Sequence, residues 1–280
     1  MRKLPPLERF IRRSRVYRGR VARMVTQAKL KHPCVFMHVP KCGGTSLSEG
    51  LYSLVPLNLK IGILDSPSIR RAMALQYYDR DEDKTFHDEG DEVVRISEFR
   101  ERLLLMHLAH ECHLIHGHFL FSETAYRHFG DRYKFVTILR DPIVRTISSY
   151  RMATRTGHFE GDFDTFLDSP KGRRMILHNL RYFSGIPDVA PGEEAAALEK
   201  AKTNLARFAV VGFIEEQADF VRHFREVFGR APSLGHYNRA RDEGVELTAP
   251  QRKKLEALSW PDLEIDALAR KRWGCAPRPG

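Results

Sequence analysis

Cys34-Val35-Phe36-Met37-His38-Val39-Pro40-Lys41-Cys42-Gly43-Gly44-Thr45-Ser46 opens as a short apolar run and closes on a proline, a lysine, two glycines and two hydroxyl residues. Beyond it Leu47, Leu51 and Leu54 recur at helical spacing, so the stretch predicts a strand, a tight loop and a helix. Glycines let backbone N–H groups approach an anion, lysine supplies charge, and a helix N-terminus adds its dipole. These are the parts of a phosphate cradle. In a Walker A loop the lysine follows the glycines and directly precedes the hydroxyl residue, whereas Lys41 precedes both Gly43 and Gly44. Taken alone, the loop also has a second reading as a helix-capping turn with Thr45 or Ser46 as N-cap.

Further along, Tyr133 to Leu139 is the strongest strand pattern in the chain, and Pro142 suits the first turn of a helix running through Tyr150. Two more apolar runs, Leu114 to His118 and Phe208 to Phe213, predict buried strands, the second followed by a helix from Glu216 to Phe228. A helix is expected from Ser97 to Glu111, and two more between Thr248 and Trp273. Residues 79 to 92, acidic and without periodicity, read as a solvated loop. Strands alternating with helices argue for an α/β fold whose parallel sheet is covered on both faces. At 280 residues the chain suits one large domain over 32 to 280, preceded by an arm over 1 to 31.

A second anion-binding element stands at the end of the strongest strand: Arg140-Asp141-Pro142-Ile143, with Ser148 eight residues after the arginine and two turns into the helix. Ligands of open α/β sheets bind at the carboxyl ends of strands, and an arginine fork with a hydroxyl suits one phosphate. The plainer alternative is an Arg140–Asp141 ion pair at a strand end.

Together, Lys-x-Gly-Gly-Thr-Ser after the first strand and Arg-Asp-Pro with Ser148 beyond it resemble the two nucleotide-binding signatures of the sulfotransferase superfamily. The likeness is closest to the branch containing heparan sulfate 2-O-sulfotransferases, with Val39-Pro40-Lys41, Arg140-Asp141-Pro142-Ile143 and His116-Gly117-His118 as its three motifs. Val211 to Glu216 and Asp262 to Asp266 look like later landmarks of that branch. The resemblance implies a P-loop-like, three-layer fold that uses 3'-phosphoadenosine 5'-phosphosulfate as co-substrate, without a metal. By that resemblance Lys41, Gly43, Gly44, Thr45 and Ser46 hold the 5'-phosphosulfate, Arg140 and Ser148 hold the 3'-phosphate, His118 is the general base and His116 its helper. Arg239, in Gly235-His236-Tyr237-Asn238-Arg239, stands where relatives close a loop over the nucleotide. The implied acceptor is a hydroxyl on a glycan or glycolipid. Two departures are Cys42, where relatives commonly carry Thr, and His38, where the 2-O branch carries Arg. Sulfuryl transfer needs a base at the attacking hydroxyl and a cation at the leaving phosphate oxygen, tasks that suit an imidazole and Lys41.

Charge is unevenly placed. Eleven of the 46 Lys and Arg but only Glu8 of the 36 acids fall in residues 1 to 31, so the remainder holds 35 of each and is neutral. The body therefore lacks the basic surface of a nucleic-acid binder. Leu7, Phe10, Ile11, Tyr17, Val21, Met24, Val25 and Ala28 recur at helical spacing among the arm's arginines. That basic amphipathic pattern reads either as contact with an anionic membrane surface or acidic partner, or as a helix packed on its own domain. The absence of an apolar span and of a secretory h-region, with four scattered cysteines (Cys34, Cys42, Cys112 and Cys275), sets the expectation of a cytoplasmic protein with reduced thiols.

Cys42 beside Lys41 near a helix start carries the expectation of a depressed pKa and ready reaction with thiol reagents. Three rival functions remain on the sequence. His107, His110, Cys112, His113, His116 and His118 are dense enough for a metal-dependent hydrolase. A kinase shares the phosphate-loop logic, though the lysine is displaced and no Mg²⁺-binding Asp follows a strand. A non-catalytic nucleotide- or polyanion-binding protein on the same fold is the third.

Overall fold

The computed structural model describes residues 21, 23–24, 28–87, 90–232 and 246–274. Most of the basic arm and the candidate Arg239 lie outside the described residues. The strands are β1 (Cys34–Met37), β2 (Ile61–Leu64), β3 (Leu114–Gly117), β4 (Lys134–Leu139) and β5 (Val210–Phe213). The described helices are α1 (Gly44–Tyr52), α2 (Ser66–Tyr78), α3 (Val93–Ala109), α4 (Glu123–Phe129), α5 (Pro142–Arg155), α6 (Phe163–Asp168), α7 (Pro170–Ile176), α8 (His178–Ser184), α9 (Glu194–Leu205), α10 (Gln217–Phe228), α11 (Ala249–Leu258) and α12 (Trp260–Trp273).

All pairings are parallel, in the order β2-β3-β1-β4-β5. Every residue of β1 and β5 is buried, as are all of β4 after Lys134. Strand residues alternate faces, so such unbroken burial means that both faces of the sheet are covered by helices. This is the three-layer α/β architecture expected from the apolar runs. β2 is the strand that the apolar pattern does not announce, being four residues at the sheet edge with Gly62 within it and Ile63 49% exposed.

The chain leaves β1 toward β2 on one side of the sheet and leaves β4 toward β5 on the other. The loops that follow β1 and β4 therefore diverge over the crevice between them, where an open parallel sheet receives its ligand. Thr137 ties the two strands there, its hydroxyl donating to the Met37 carbonyl at 2.7 Å.

Behind the crevice lies a buried ion pair. Arg145 and Asp262 are both 0% exposed, and the guanidinium donates to Asp262 (2.8 Å) and to the carbonyls of Met175 (2.8 Å) and Ile176 (2.7 Å). Asp262 also accepts from the backbone N–H groups of Asn179 (2.8 Å) and Leu180 (2.9 Å), two orphan donors in the first turn of α8. The pair thus pins α5 to α7, α8 and α12. Burial pushes the Asp262 carboxyl up, while Arg145 and the two N–H groups pull it back.

One loop differs from its expected state. Within the acidic segment, Phe86 is buried against Tyr77 and Tyr78, and His87 is buried with its ring 4.2 Å from that of His158. Phe86 and His87 are the aromatic members of a mostly acidic stretch, and they anchor its middle while residues 79 to 81 remain exposed.

Candidate functional site

The loop after β1 is bent by two left-handed residues, Lys41 (φ 65) and Gly43 (φ 70). A lysine at positive φ is strained, and a side chain at Gly43 would press within 2.5 Å of Ile214, so the turn is tightly specified on both sides. Gly43 is the N-cap of α1 and offers no side-chain cap. The helix begins at Gly44, which corrects the reading of Thr45 or Ser46 as N-cap and places both inside the first turn. Their side chains lie outside the described ones. An N-terminus left without a side-chain cap keeps its first N–H groups available to an anion.

Lys41 is half-buried, and burial, Arg155 and Arg140, in that order, lower its pKa. Three cations therefore converge on the loop. Among the described residues, none of the three side chains makes a hydrogen bond or ion pair. Asp141, which the plainer reading paired with Arg140, instead caps α5 by accepting from Val144 N–H at 2.9 Å. Neighbouring like charges of this kind suit the approach of an anion. Ser148 is half-buried on α5 and not bonded to Arg140 among the described contacts. Arg155 is the residue that sequence reasoning missed. It ends α5 seven residues after Ser148, hence on the same helix face, and that spacing was the available signal.

The histidines gather on the other side of β1. Gly117 ends β3, and a Cβ there would come within 2.5 Å of Leu64, so glycine is required between His116 and His118. Nδ1 of His118 lies 2.7 Å from the His38 carbonyl. A carbonyl only accepts, so Nδ1 carries the proton, and the neutral ring has its lone pair on Nε2. His116 is held differently, with Nε2 bonded to the Tyr52 hydroxyl and Nδ1 3.3 Å from Ser48 Oγ, both on α1. Burial and then the neighbouring His118 push its pKa down to about 4, against a weaker opposing pull from Asp65. His116 is a neutral ring wedged under α1, beside His118.

The expectation for Cys42 is overturned. Its side chain turns into the core at 0% exposure, with the thiol 3.6 Å from the Pro40 carbonyl. Burial pushes its pKa up to about 12, outweighing Arg145 and Arg140, whose charges and, for Arg140, backbone N–H favour the thiolate. Cys42 should therefore label slowly with thiol reagents whether or not nucleotide is present, as followed by mass spectrometry. Labelling at the rate of an exposed thiol would contradict the inward placement.

The remaining members of the histidine-rich segment disperse. His113 Nε2 lies 3.2 Å from the Leu30 carbonyl, and His107 Nδ1 lies 3.8 Å from the Cys112 thiol. Among the described residues no three of His, Cys, Asp or Glu are grouped so as to hold a metal ion. No described helix is long and apolar enough to cross a membrane.

No protein-family model matches the chain, and no curated protein matches it. Among solved structures it is similar to a sulfotransferase from Alicyclobacillus acidocaldarius, at 20% identity and a TM-score of 0.47, over 86% of this chain and 96% of that one.

Proposed function

We propose that the protein transfers a sulfuryl group from 3'-phosphoadenosine 5'-phosphosulfate to an acceptor hydroxyl, with a carbohydrate as the acceptor class. The observation that carries this reading is the convergence of Lys41, Arg140 and Arg155, none of them paired among the described residues, on the uncapped start of α1. Two of these cations belong to motifs separated by about a hundred residues in sequence, which suits a ligand with phosphate groups at two ends. The carbohydrate acceptor rests on the likeness of the three motifs to the 2-O branch.

In this mechanism the acceptor hydroxyl gives its proton to His118 Nε2 as its oxygen attacks sulfur. The bond from sulfur to the 5'-phosphate oxygen breaks in line, and its electron pair goes to that oxygen. Lys41 meets the charge developing there, with the N–H groups of the α1 first turn beside it. Arg140 and Ser148 hold the 3'-phosphate. The products are a sulfate ester and adenosine 3',5'-bisphosphate, with the proton left on His118.

Two experiments test the reading. Radiolabelled sulfuryl donor supplied with glycan and glycolipid extracts should yield a labelled ester and an equal amount of adenosine 3',5'-bisphosphate. Label recovered only as inorganic sulfate, or no consumption of donor with any acceptor, would refute transfer. In the second, Arg140→Ala should weaken adenosine 3',5'-bisphosphate binding by about 1.5 to 3 kcal/mol, the worth of a charge-assisted contact, and leave adenosine 5'-monophosphate binding nearly unchanged. Equal losses for both ligands would remove Arg140 from the 3'-phosphate.

A further inference from the structure

β1 and β3 lie side by side with Phe36 opposite His116, and the pairing continues past the strand ends through the His38 N–H, which donates to the Gly117 carbonyl at 2.9 Å. Side chains two apart on a strand share a face, so Phe36, His38, His116 and His118 point to the same side of the sheet. There the rings stack in sequence. Phe36 and His38 have centroids 5.7 Å apart and planes 13° apart, and His38 and His118 are 4.2 Å and 27° apart.

We infer that His38 is a positioning residue whose ring clamps the imidazole of His118, keeping Nδ1 on the His38 carbonyl and turning Nε2 toward the acceptor. The inference rests on the reading of His118 as the base. A hydrogen bond at one ring nitrogen sets the direction of that atom, and a flat ring stacked against the face sets the plane of the imidazole as well. The backbone carbonyl of residue 38 survives any substitution there, so the ring is the separable part of the clamp.

The clamp must also tolerate the charge that His118 acquires. His38 suits this because it stays neutral: burial, and then His118, His116 and Lys41, hold its pKa well below the usual imidazole range. The other groups packed around the histidines are Ser48 and Tyr52 from α1 and Asp65 from the start of α2, all of which engage His116. A neutral aromatic face beside a forming imidazolium is attractive, and a second cation there would oppose it.

The test has one readout that needs no turnover. Proton NMR should show a downfield, slowly exchanging imidazole N–H in the full-length protein, assigned to His118 by its loss in His118→Gln. It should persist in His38→Phe, which keeps a flat ring, and be lost to exchange in His38→Ala and in His38→Leu, which keeps bulk without the ring. Turnover should follow the same division: kcat lower by about 10- to 100-fold in His38→Ala and His38→Leu, and within about threefold of wild type in His38→Phe, because misplacing a catalytic group by an ångström costs that much. Affinity for adenosine 3',5'-bisphosphate should stay within about twofold in all three, since the ring faces the acceptor side. A persistent N–H signal and undiminished kcat in His38→Leu would overturn the clamp, as would equal losses in His38→Phe and His38→Leu. Should wild-type protein transfer no sulfuryl group to any acceptor, the catalytic reading fails, and the NMR comparison still decides whether His38 fixes His118.

Discussion

His118→Ala should bind adenosine 3',5'-bisphosphate as wild type does and turn over about 10² to 10⁴ times more slowly, the usual cost of removing a positioned general base. The expectation follows from geometry. The His38 carbonyl 2.7 Å from Nδ1 leaves the lone pair of the neutral ring on Nε2, and the charges that act on Lys41 are Arg155 and Arg140 rather than this ring. His116→Ala serves as a contrast. Its ring is engaged by Tyr52 and Ser48 at both nitrogens, so its loss should lower stability more than it alters the chemical step. The wild-type rate should rise with pH as the base loses its proton, and that limb should vanish in His118→Ala. Comparison of kcat and nucleotide affinity across the two variants checks the assignment, and retention of most activity in His118→Ala would withdraw it.

Asp262→Ala should destabilise the fold by about 3 to 5 kcal/mol, because breaking a buried ion pair leaves the remaining charge without compensation. Here the stranded group is the fully buried Arg145 guanidinium, and two N–H groups at the start of α8 lose their acceptor with it. Every residue of α8 is buried, so water cannot easily replace the carboxylate. Urea denaturation should show a lower midpoint. A loss under about 1 kcal/mol, the scale of an exposed pair, would mean that Arg145 finds another partner.

What the sequence reveals here follows from how local each feature is. β1 and β4 are legible because unbroken apolar runs bounded by Pro40 and Arg140 are what a doubly covered strand requires. β2 is not, since a four-residue edge strand with a glycine carries neither length nor alternation. Lys41 and Arg140 stand at strand ends, where charge is conspicuous against apolar neighbours. Arg155 reads locally as an ordinary basic helix end and gains meaning only from its approach to Lys41. Cys42 shows the opposite failure: its neighbours in sequence are those of a reactive thiol, yet the backbone turns the side chain inward. Arg145 and Asp262 are 117 residues apart, and their pairing is set by the packing of helices that no local pattern specifies. The stacking of His38 on His118 likewise depends on strand register, which the period-two spacing within each strand does not determine.

The cluster of Lys41, Arg140 and Arg155 is the centre of the functional account, and calorimetric titration with adenosine 3',5'-bisphosphate against adenosine 5'-monophosphate tests it most directly. A second phosphate held by a charge-assisted fork should make the bisphosphate bind at least about tenfold more tightly, a difference of about 1.4 kcal/mol. Equal affinity for the two nucleotides, or no heat with either, would contradict a cradle built for a 3',5'-bisphosphate.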